Sequence, residues 1–252
     1  MDAAIVFVQV GSCRLAICAF GISNVRMKLS IIIPTLNEAS CIIEAIRRAW
    51  ATGPYEVIVV DGGSEDGTIE LAQTCSCQFL RTQQGRAEQQ NAGARCARGD
   101  VLLFLHADNW LEARSTGQIA DALSNPSVLG GAFEQQIEAP GFFYRFLERG
   151  NALRAKRLGL PYGDQGIFMR RSTFESLGGF PKIRLMEDYL LMKKFRNLSK
   201  PVLLPGPIHV SARRWQRHGL VRQTLRNWVL LGAVNLGLSP DRLAAYYPLH
   251  SR

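Results

Sequence analysis

Val60-Asp61-Gly62-Gly63-Ser64-Glu65-Asp66-Gly67-Thr68 follows the strand-like run Glu56-Val57-Ile58-Val59 and leads into a helical pattern, Ile69-Glu70-Leu71-Ala72. A buried parallel strand that ends in an acid and two glycines places that acid at the strand's carboxyl end. Open α/β sheets bind their ligands along that edge. The glycines let the chain turn sharply, and Asp66-Gly67-Thr68 suits the opening of a helix. A carboxylate at such a tip can accept a base N–H or ribose hydroxyls. A plain strand-to-helix turn with a cap is the ordinary alternative, so the neighbouring strands decide.

Upstream, the strand Leu29–Ile33 ends in Pro34-Thr35-Leu36-Asn37-Glu38 and is followed by a helix from about Ala39 to Trp50. Downstream come the strand Cys77–Arg81, a helix opened by Gly85-Arg86, and the strand Val101–Leu105 ending in His106-Ala107-Asp108. Strands alternating with helices at this spacing give right-handed βαβ units on a mostly parallel sheet. Three strands then end in polar groups on one edge: Thr35, Asn37 and Glu38; Asp61; His106 and Asp108. Capping alone does not ask for that coincidence. In the second half, Val128–Phe133 and Ile167–Met169 read as strands. Phe142–Arg157 reads as an amphipathic helix with Phe143, Phe146 and Leu147 apolar and Arg145, Arg149 and Arg154 outward. Ser172-Thr173-Phe174-Glu175 has a capping-box pattern, and Glu187–Phe195 is a helix opened by two acids.

At 252 residues and 47% hydrophobic content the chain can bury one good-sized core, an α/β domain with an appendage. The net charge of +9 is uneven: from Lys182 to Arg252, 13 Lys/Arg face 3 Asp/Glu, while the first 181 residues are close to balanced. Such a basic end suits an anionic ligand, a membrane surface or nucleic acid, or merely solubilises the chain. The six cysteines lack CxxC or framework spacing, which reads as a reduced, cytoplasmic chain. Residues 1–26 make a poor signal peptide and a poor spanning helix. They are expected to be a non-native or disordered extension, with Met27 the natural start. A domain over 27–217 and a helical extension over 218–252 complete the division. Leu225–Leu238 is apolar but too short to span a bilayer. It can pack on the domain, pair with a second copy as a homodimer, or lie at a membrane surface through 213–238.

The ordered set of motifs resembles family 2 glycosyltransferases, which use the GT-A nucleotide-sugar-binding fold. The motifs are Ser30-Ile-Ile-Ile-Pro-Thr-Leu-Asn-Glu38, Val60-Asp-Gly-Gly-Ser-Glu-Asp-Gly-Thr68, His106-Ala-Asp108, Gly163-Asp-Gln-Gly166, Leu185-Met-Glu-Asp-Tyr189 and Arg213-Arg-Trp215. The compact length and His-Ala-Asp further resemble a small bacterial subgroup linked to arsenosugar biosynthesis. The resemblance implies transfer of a sugar from a nucleotide diphosphate sugar, UDP by default, to an acceptor hydroxyl. It assigns Thr35, Glu38, Asp61 and Arg86 to the nucleoside side, and Arg213, Arg214 and Trp215 to the phosphates and sugar. Asp164 and Gln165 shape the acceptor pocket.

Such a transfer needs a neutralised diphosphate, a base for the acceptor hydroxyl and a donor held in line. A divalent cation bridging phosphate oxygens serves the first need, and Mg²⁺ binds through one or two carboxylates plus substrate phosphates. Asp108 is the expected metal ligand. His106 stands where the family has a first Asp, and its softer imidazole mildly favours Mn²⁺. His209 is a further candidate contact. Asp188 matches the family's general base, with Glu187 the weaker alternative. One base and no nucleophile imply a single displacement with inversion. The reading requires Asp61, Asp108 and Asp188, remote in sequence, to line one cavity.

Rival readings are a sugar nucleotidyltransferase, a nucleotide-binding protein without activity, and a nucleic-acid-binding helix over Arg213–Arg226. The first wants a Gly- and Lys-rich phosphate loop where Pro34–Glu38 stands. The last leaves the acidic strand ends unexplained, so nucleic acid is not expected as a partner.

Overall fold

Ile31-Ile32-Ile33 and Val57-Ile58-Val59-Val60 are continuous β-branched runs, the pattern of strands covered on both faces, and all of these residues are buried. They form the centre of the sheet. The structure, a computed structural model, describes the backbone of residues 5–10 and 13–18, and residues 27–244 apart from the side chains of Arg214, His218 and Leu220. The N-terminal part runs β1 (Ile5–Val10), β2 (Cys13–Cys18), β3 (Leu29–Thr35), α1 (Ile42–Ala51), β4 (Glu56–Asp61), α2 (Thr68–Gln73), β5 (Gln78–Arg81), α3 (Arg86–Cys96), β6 (Val101–Phe104) and β7 (Asn109–Leu111). The remainder runs α4 (Ser115–Leu123), β8 (Gly130–Ile137), α5 (Phe142–Leu158), β9 (Phe168–Arg170), α6 (Arg171–Ser176), α7 (Glu187–Phe195), β10 (Val202–Val210), α8 (Arg213–His218), α9 (Leu220–Asn235) and α10 (Pro240–Ala244).

Eight strands form one sheet in the order β5-β4-β3-β6-β9-β8-β10-β7. β3 pairs in parallel with β4 and β6, and β4 with β5. β8 and β10 are also parallel, while β9 runs antiparallel between β6 and β8 and β7 antiparallel to β10. Thr35 pairs with Asp61 at the carboxyl ends of β3 and β4, beside the end of β6. The three polar strand tips read from the sequence are therefore neighbours.

Helices cover both faces. On one side Ile42 and Ile46 of α1 and Ile119 and Leu123 of α4 pack on Ile31, Ile33, Val57 and Val59. On the other, Ala92 of α3 and Leu191, Met192 and Phe195 of α7 pack with Ile32, Ile58, Val60 and Phe104. Phe104 meets Phe180 edge-on with ring centroids 4.8 Å apart. α3 approaches the sheet at Gly93, where an added Cβ would lie 2.5 Å from Ile32 Cγ2 and 3.1 Å from Val60 Cγ2.

Several expectations need correction. Within residues 1–26, expected to be a non-native or disordered extension, β1 and β2 pair as an antiparallel hairpin in a sheet of their own; Ile5-Val6-Phe7-Val8 is rich in strand-favouring residues. β10 is a full strand despite Pro205-Gly206-Pro207, because a register shift between Leu204 and Ile208 absorbs that segment. α6 starts at Arg171 with no side-chain cap; Arg171 is held instead by its N–H to Asp100 O and its guanidinium on Gly99 O, 2.9 Å each. In α5 the expected faces are partly exchanged: Phe146 is exposed, while Arg154 turns inward, donating to Leu160 O at 3.0 Å and Asn151 Oδ1 at 2.7 Å. Among the described residues no helix is long and apolar enough to cross a membrane.

The Gly93 contact sets a stability prediction. Gly93→Ala gains about 1 kcal/mol of helix propensity but overpacks the α3–sheet seam, at a cost of about 1–3 kcal/mol. A net loss of up to about 2 kcal/mol is expected in urea unfolding, with an unchanged m-value.

Candidate active site

Two loops at the sheet edge are sewn together by their own polar groups. Asn37, with φ at +55°, donates its N–H to Ser64 Oγ at 2.8 Å and accepts the N–H of Glu65 on Oδ1 at 2.9 Å. The N–H of Glu38 reaches Thr68 Oγ1 at 2.8 Å, and that of Ala39 reaches Asp66 Oδ2 at 3.0 Å. The loop after β3 and the loop after β4 are thus one rigid platform.

Asp61 is the foundation of this platform and not a wall of the cavity. Its carboxylate is completely buried and accepts the N–H groups of Gly63 and Ser64 at 2.8 and 2.9 Å and the Ser64 hydroxyl at 2.5 Å. The expectation that Asp61, Asp108 and Asp188 line one cavity holds for the last two. Asp61 turns inward because an acid followed by Gly-Gly-Ser can bond the N–H groups just ahead of it. Thr35 is likewise buried, with Oγ1 3.5 Å from Val60 O.

An open cleft lies beside the platform, lined among others by Arg86, His106, Asp108, Tyr162, Asp164, Asp188 and Trp215. Asp188 Oδ2 accepts the Gly163 N–H at 2.6 Å, and Oδ1 accepts the N–H of Tyr189 at 2.7 Å. A carboxylate has about four acceptor directions, so Asp188 keeps capacity toward the cleft. A Cβ placed on Gly163 would lie 2.9 Å from Asp188 Oδ2 and 3.3 Å from His106 Nε2, so both groups close on the same point.

Arg213, at the start of α8, uses one nitrogen for two acids: Nη2 is 3.0 Å from Glu38 Oε2 and 3.2 Å from Asp108 Oδ2. Burial works to lower its pKa, but the Glu38 and Asp108 carboxylates outweigh it and raise the value. The Cys41 thiol donates to Glu38 Oε2 at 3.1 Å, and burial together with Glu38 pushes it up to about 12. Trp215 lines the cleft and stands edge-on to Tyr144, centroids 6.3 Å apart. The Arg214 side chain lies outside the described residues.

Glu187 is nearly completely buried and its Oε1 is ion-paired with Arg86 Nε. Burial raises its pKa, the Arg86 charge opposes that shift and Asp188 reinforces it. Its geometry suits holding Arg86 at the cleft better than serving as a base. Gln165 does not line the cleft either: it is fully buried, its Oε1 accepting from Tyr162 N at 3.1 Å and Arg154 Nη2 at 2.9 Å, with Nε2 3.3 Å from Phe133 O. It fixes the turn that carries Gly163 and Asp164. His209 is stacked on Trp110 at 3.4 Å, with Nδ1 2.7 Å from Glu138 Oε1, and is not among the cleft's lining residues.

Sequence reading missed the far wall. Gln223, Asn227, Leu230 and Leu231 of α9 line the cleft, with Leu185, Met186 and Tyr189. Gln223 Nε2 donates to Asn227 Oδ1 at 3.0 Å, and the Tyr189 hydroxyl is 2.7 Å from Asn235 Oδ1. The spacing of Gln223 and Asn227, one helical turn apart, was the available signal. Beyond the expected boundary near residue 217, α9 therefore contributes to the cleft lining.

A model of the glycosyl transferase family 2 domain matches residues 30–178. The chain belongs to glycosyl transferase family 2. Among curated relatives of this glycosyltransferase, a PGL/p-HBAD biosynthesis glycosyltransferase from Mycobacterium bovis is 29% identical over 224 residues, covering 78% of this chain and 79% of the relative. An uncharacterized glycosyltransferase from Haemophilus influenzae is 27% identical over 198 residues, 72% and 65% of the two chains. Among solved structures, mannosyltransferase PcManGT from Pyrobaculum calidifontis, in complex with GDP-Man and Mn²⁺, aligns with TM-score 0.60 at 22% identity, covering 87% of this chain and 68% of that one. S. aureus TarS 1-349 in complex with UDP aligns with TM-score 0.59 at 17% identity, and this chain spans 60% of it. These likenesses establish a GT-A-like fold. The relatives' names do not carry the narrower arsenosugar likeness.

Two outcomes follow from the geometry. Gly163→Ala displaces the Asp188 carboxylate and is expected to lower kcat about 10- to 100-fold, since misplacements near 1 Å have that effect, while the folded state persists by circular dichroism. For Glu187, a raised folded pKa means the native state holds this proton more tightly than the unfolded chain. Its contribution to stability is greatest below the ordinary carboxylate value and declines as pH rises from there through the elevated one. Glu187→Gln removes that decline, so the gap between its urea midpoint and that of the parent should change with pH across this window.

Proposed function

We propose that this glycosyltransferase moves a sugar from a nucleotide diphosphate sugar to an acceptor hydroxyl in one inverting displacement, with Asp188 as general base. The observation that carries the reading is that Asp188 and Asp108, from separate parts of the chain, face one cleft, with Asp188 oriented by the Gly163 N–H. The acceptor hydroxyl transfers its proton to Asp188 as its oxygen bonds the anomeric carbon. The bond from that carbon to the phosphate oxygen breaks, and the nucleoside diphosphate leaves with the electron pair. A positioned base of this kind supplies about 10²–10⁴ in rate.

The leaving group is anionic, and Arg213 and Arg86 supply positive charge at the cleft. An arginine fork matches phosphate oxygens, so Arg213 exchanges its Glu38 and Asp108 partners for the donor's diphosphate, while Arg214 and Trp215 are assigned to the same subsite by the family resemblance. Glu38 is assigned to the nucleoside side; Asp61 and Thr35 support that subsite from beneath. Asp164 belongs to the acceptor side, and Gln165 shapes that side through the turn.

Among the described residues no group of three or more His, Cys, Asp or Glu side chains is arranged to hold a metal ion. A closed protein site is therefore not what these residues fit. They fit the open mode of a hard cation, held by one or two carboxylates with substrate phosphates completing the shell. Asp108 would hold it, with His106 beside it. Such a cation, Mg²⁺ or Mn²⁺, would supply Lewis-acid neutralisation of the diphosphate. The Mn²⁺ in the PcManGT complex supports a divalent ion, and the His106 imidazole favours Mn²⁺ mildly. The UDP and GDP-Man of the structural neighbours support a nucleotide donor, with UDP retained as the default base. The reading places the enzyme in the cytoplasm and keeps the arsenosugar-linked subgroup as its narrower resemblance.

Asp188→Asn tests the base. Turnover is expected to fall about 10²–10⁴-fold while thermal shift by the cognate donor persists. Before that, UDP- and GDP-sugars screened with Mg²⁺ or Mn²⁺ should include one that raises Tm. Donor affinity lost together with turnover in Asp188→Asn would assign the residue to donor binding instead.

A further inference from the structure

α9 has two faces of opposite character. Gln223, Thr224 and Leu230 are buried against the cleft and the α7 region. Val221, Leu225, Trp228 and Val229, at spacing i, i+4, i+7 and i+8, form one outward stripe. Trp228 is 60% and Val229 68% exposed, and Leu236, just past the helix, continues the stripe at 87%. A neighbouring helix repeats the pattern. α5, joined to α8 through Tyr144 and Trp215, exposes Phe142 at 81%, Phe146 and Leu153, with Arg149 and Arg157 exposed on the same helix.

The charge along the segment that carries α8 and α9 is of one sign. Between Asp188 and Asp241 the chain holds nine Lys or Arg and no Asp or Glu. Arg217 and Arg222 are exposed, and Arg222 and Arg226 follow the stripe along one edge of α9. A second copy of this chain would bring the same positive charge to the same apolar stripe, so self-pairing meets repulsion. An anionic bilayer meets both features at once: aromatic and aliphatic side chains enter the headgroup boundary while arginines meet lipid phosphates.

We infer that α8 and α9, with the outer edge of α5, form a docking surface for an anionic membrane. The surface is distinct from the cleft, but the helix that carries it is also the cleft's wall. A hydroxyl acceptor embedded in or resting on the bilayer would therefore arrive beside Gln223 and Asn227.

Co-sedimentation of the full chain with vesicles tests the inference. Vesicles of phosphatidylcholine mixed with phosphatidylglycerol should pellet the protein, and pure phosphatidylcholine should not. The double variant Trp228→Ser, Val229→Ser should weaken partitioning at least about tenfold, given the apolar area lost, and Arg217→Gln with Arg222→Gln should weaken it about tenfold or more. Trp228, Val229, Arg217 and Arg222 are all exposed, so both variants should retain the parent's Tm. Equal binding to both vesicle types, or unchanged binding by both variants, would overturn the inference. So would sedimentation equilibrium showing a dimer that the Trp228/Val229 variant splits.

Discussion

A single guanidinium nitrogen holds three distant parts of this chain at one point. Arg213 Nη2 lies within 3.2 Å of both Glu38 and Asp108. It thereby joins the loop after β3, the tip of β6 and the start of α8. Each carboxylate alone, partly open to solvent, would contribute little as a surface pair. Sharing one cation between two acids changes the problem: the acids repel each other unless something positive stands between them. The arrangement thus gives Asp108 a cationic neighbour. On the proposed reading, donor binding is an exchange of partners: Arg213 passes to the diphosphate, and a cation held by Asp108 would offset the charge the two acids are left with.

That exchange requires the rest of the sheet edge to stay still, and the platform beneath it explains how. Asp61 uses its carboxylate on the N–H groups of its own turn, Asn37 and Ser64 bond across the two loops, and Gln89 Nε2 donates to Thr35 O and Val60 O at 2.7 and 2.8 Å. Carbonyls at the ends of β3 and β4 thus accept from side chains as well as backbone, as buried polar groups must find partners. The motif residues divide accordingly. Some face the cleft, while others spend their polar atoms keeping those in position, and motif membership alone does not separate the two.

Much of the architecture was legible because it rests on local pattern. The runs Ile31–Ile33 and Val57–Val60 could only be doubly covered strands, and the polar tips after β3, β4 and β6 had to be neighbours once those strands were parallel. The convergence of Asp108 and Asp188 was also readable, through the order of motifs. What escaped was tertiary in origin. β10 carries Pro-Gly-Pro, which argues against a strand until a register shift is allowed. Arg154 looked like a solvated helix residue, but Tyr162 receives its guanidinium over the ring at 3.5 Å and Gln165 accepts from it at 2.9 Å. The resemblance assigned Asp61 to the nucleoside side and Gln165 to the acceptor pocket; both side chains are buried and bond the turns that carry their neighbours.

α9 shows why a region read as an appendage belongs to the site. Its inner face must close a cleft that holds Asp164, Asp188 and Arg86, so an all-apolar helix would leave polar neighbours facing hydrocarbon. Gln223 and Asn227 meet that need by bonding each other, and Leu230 and Leu231 seal the end nearer Leu185. Its outer face has no such constraint from the fold, yet it is the more apolar of the two. A helix evolved only to cap the domain would place its polar residues outward and its apolar ones inward. The inversion along α9 therefore needs a second environment, on the side away from the sheet, to account for it.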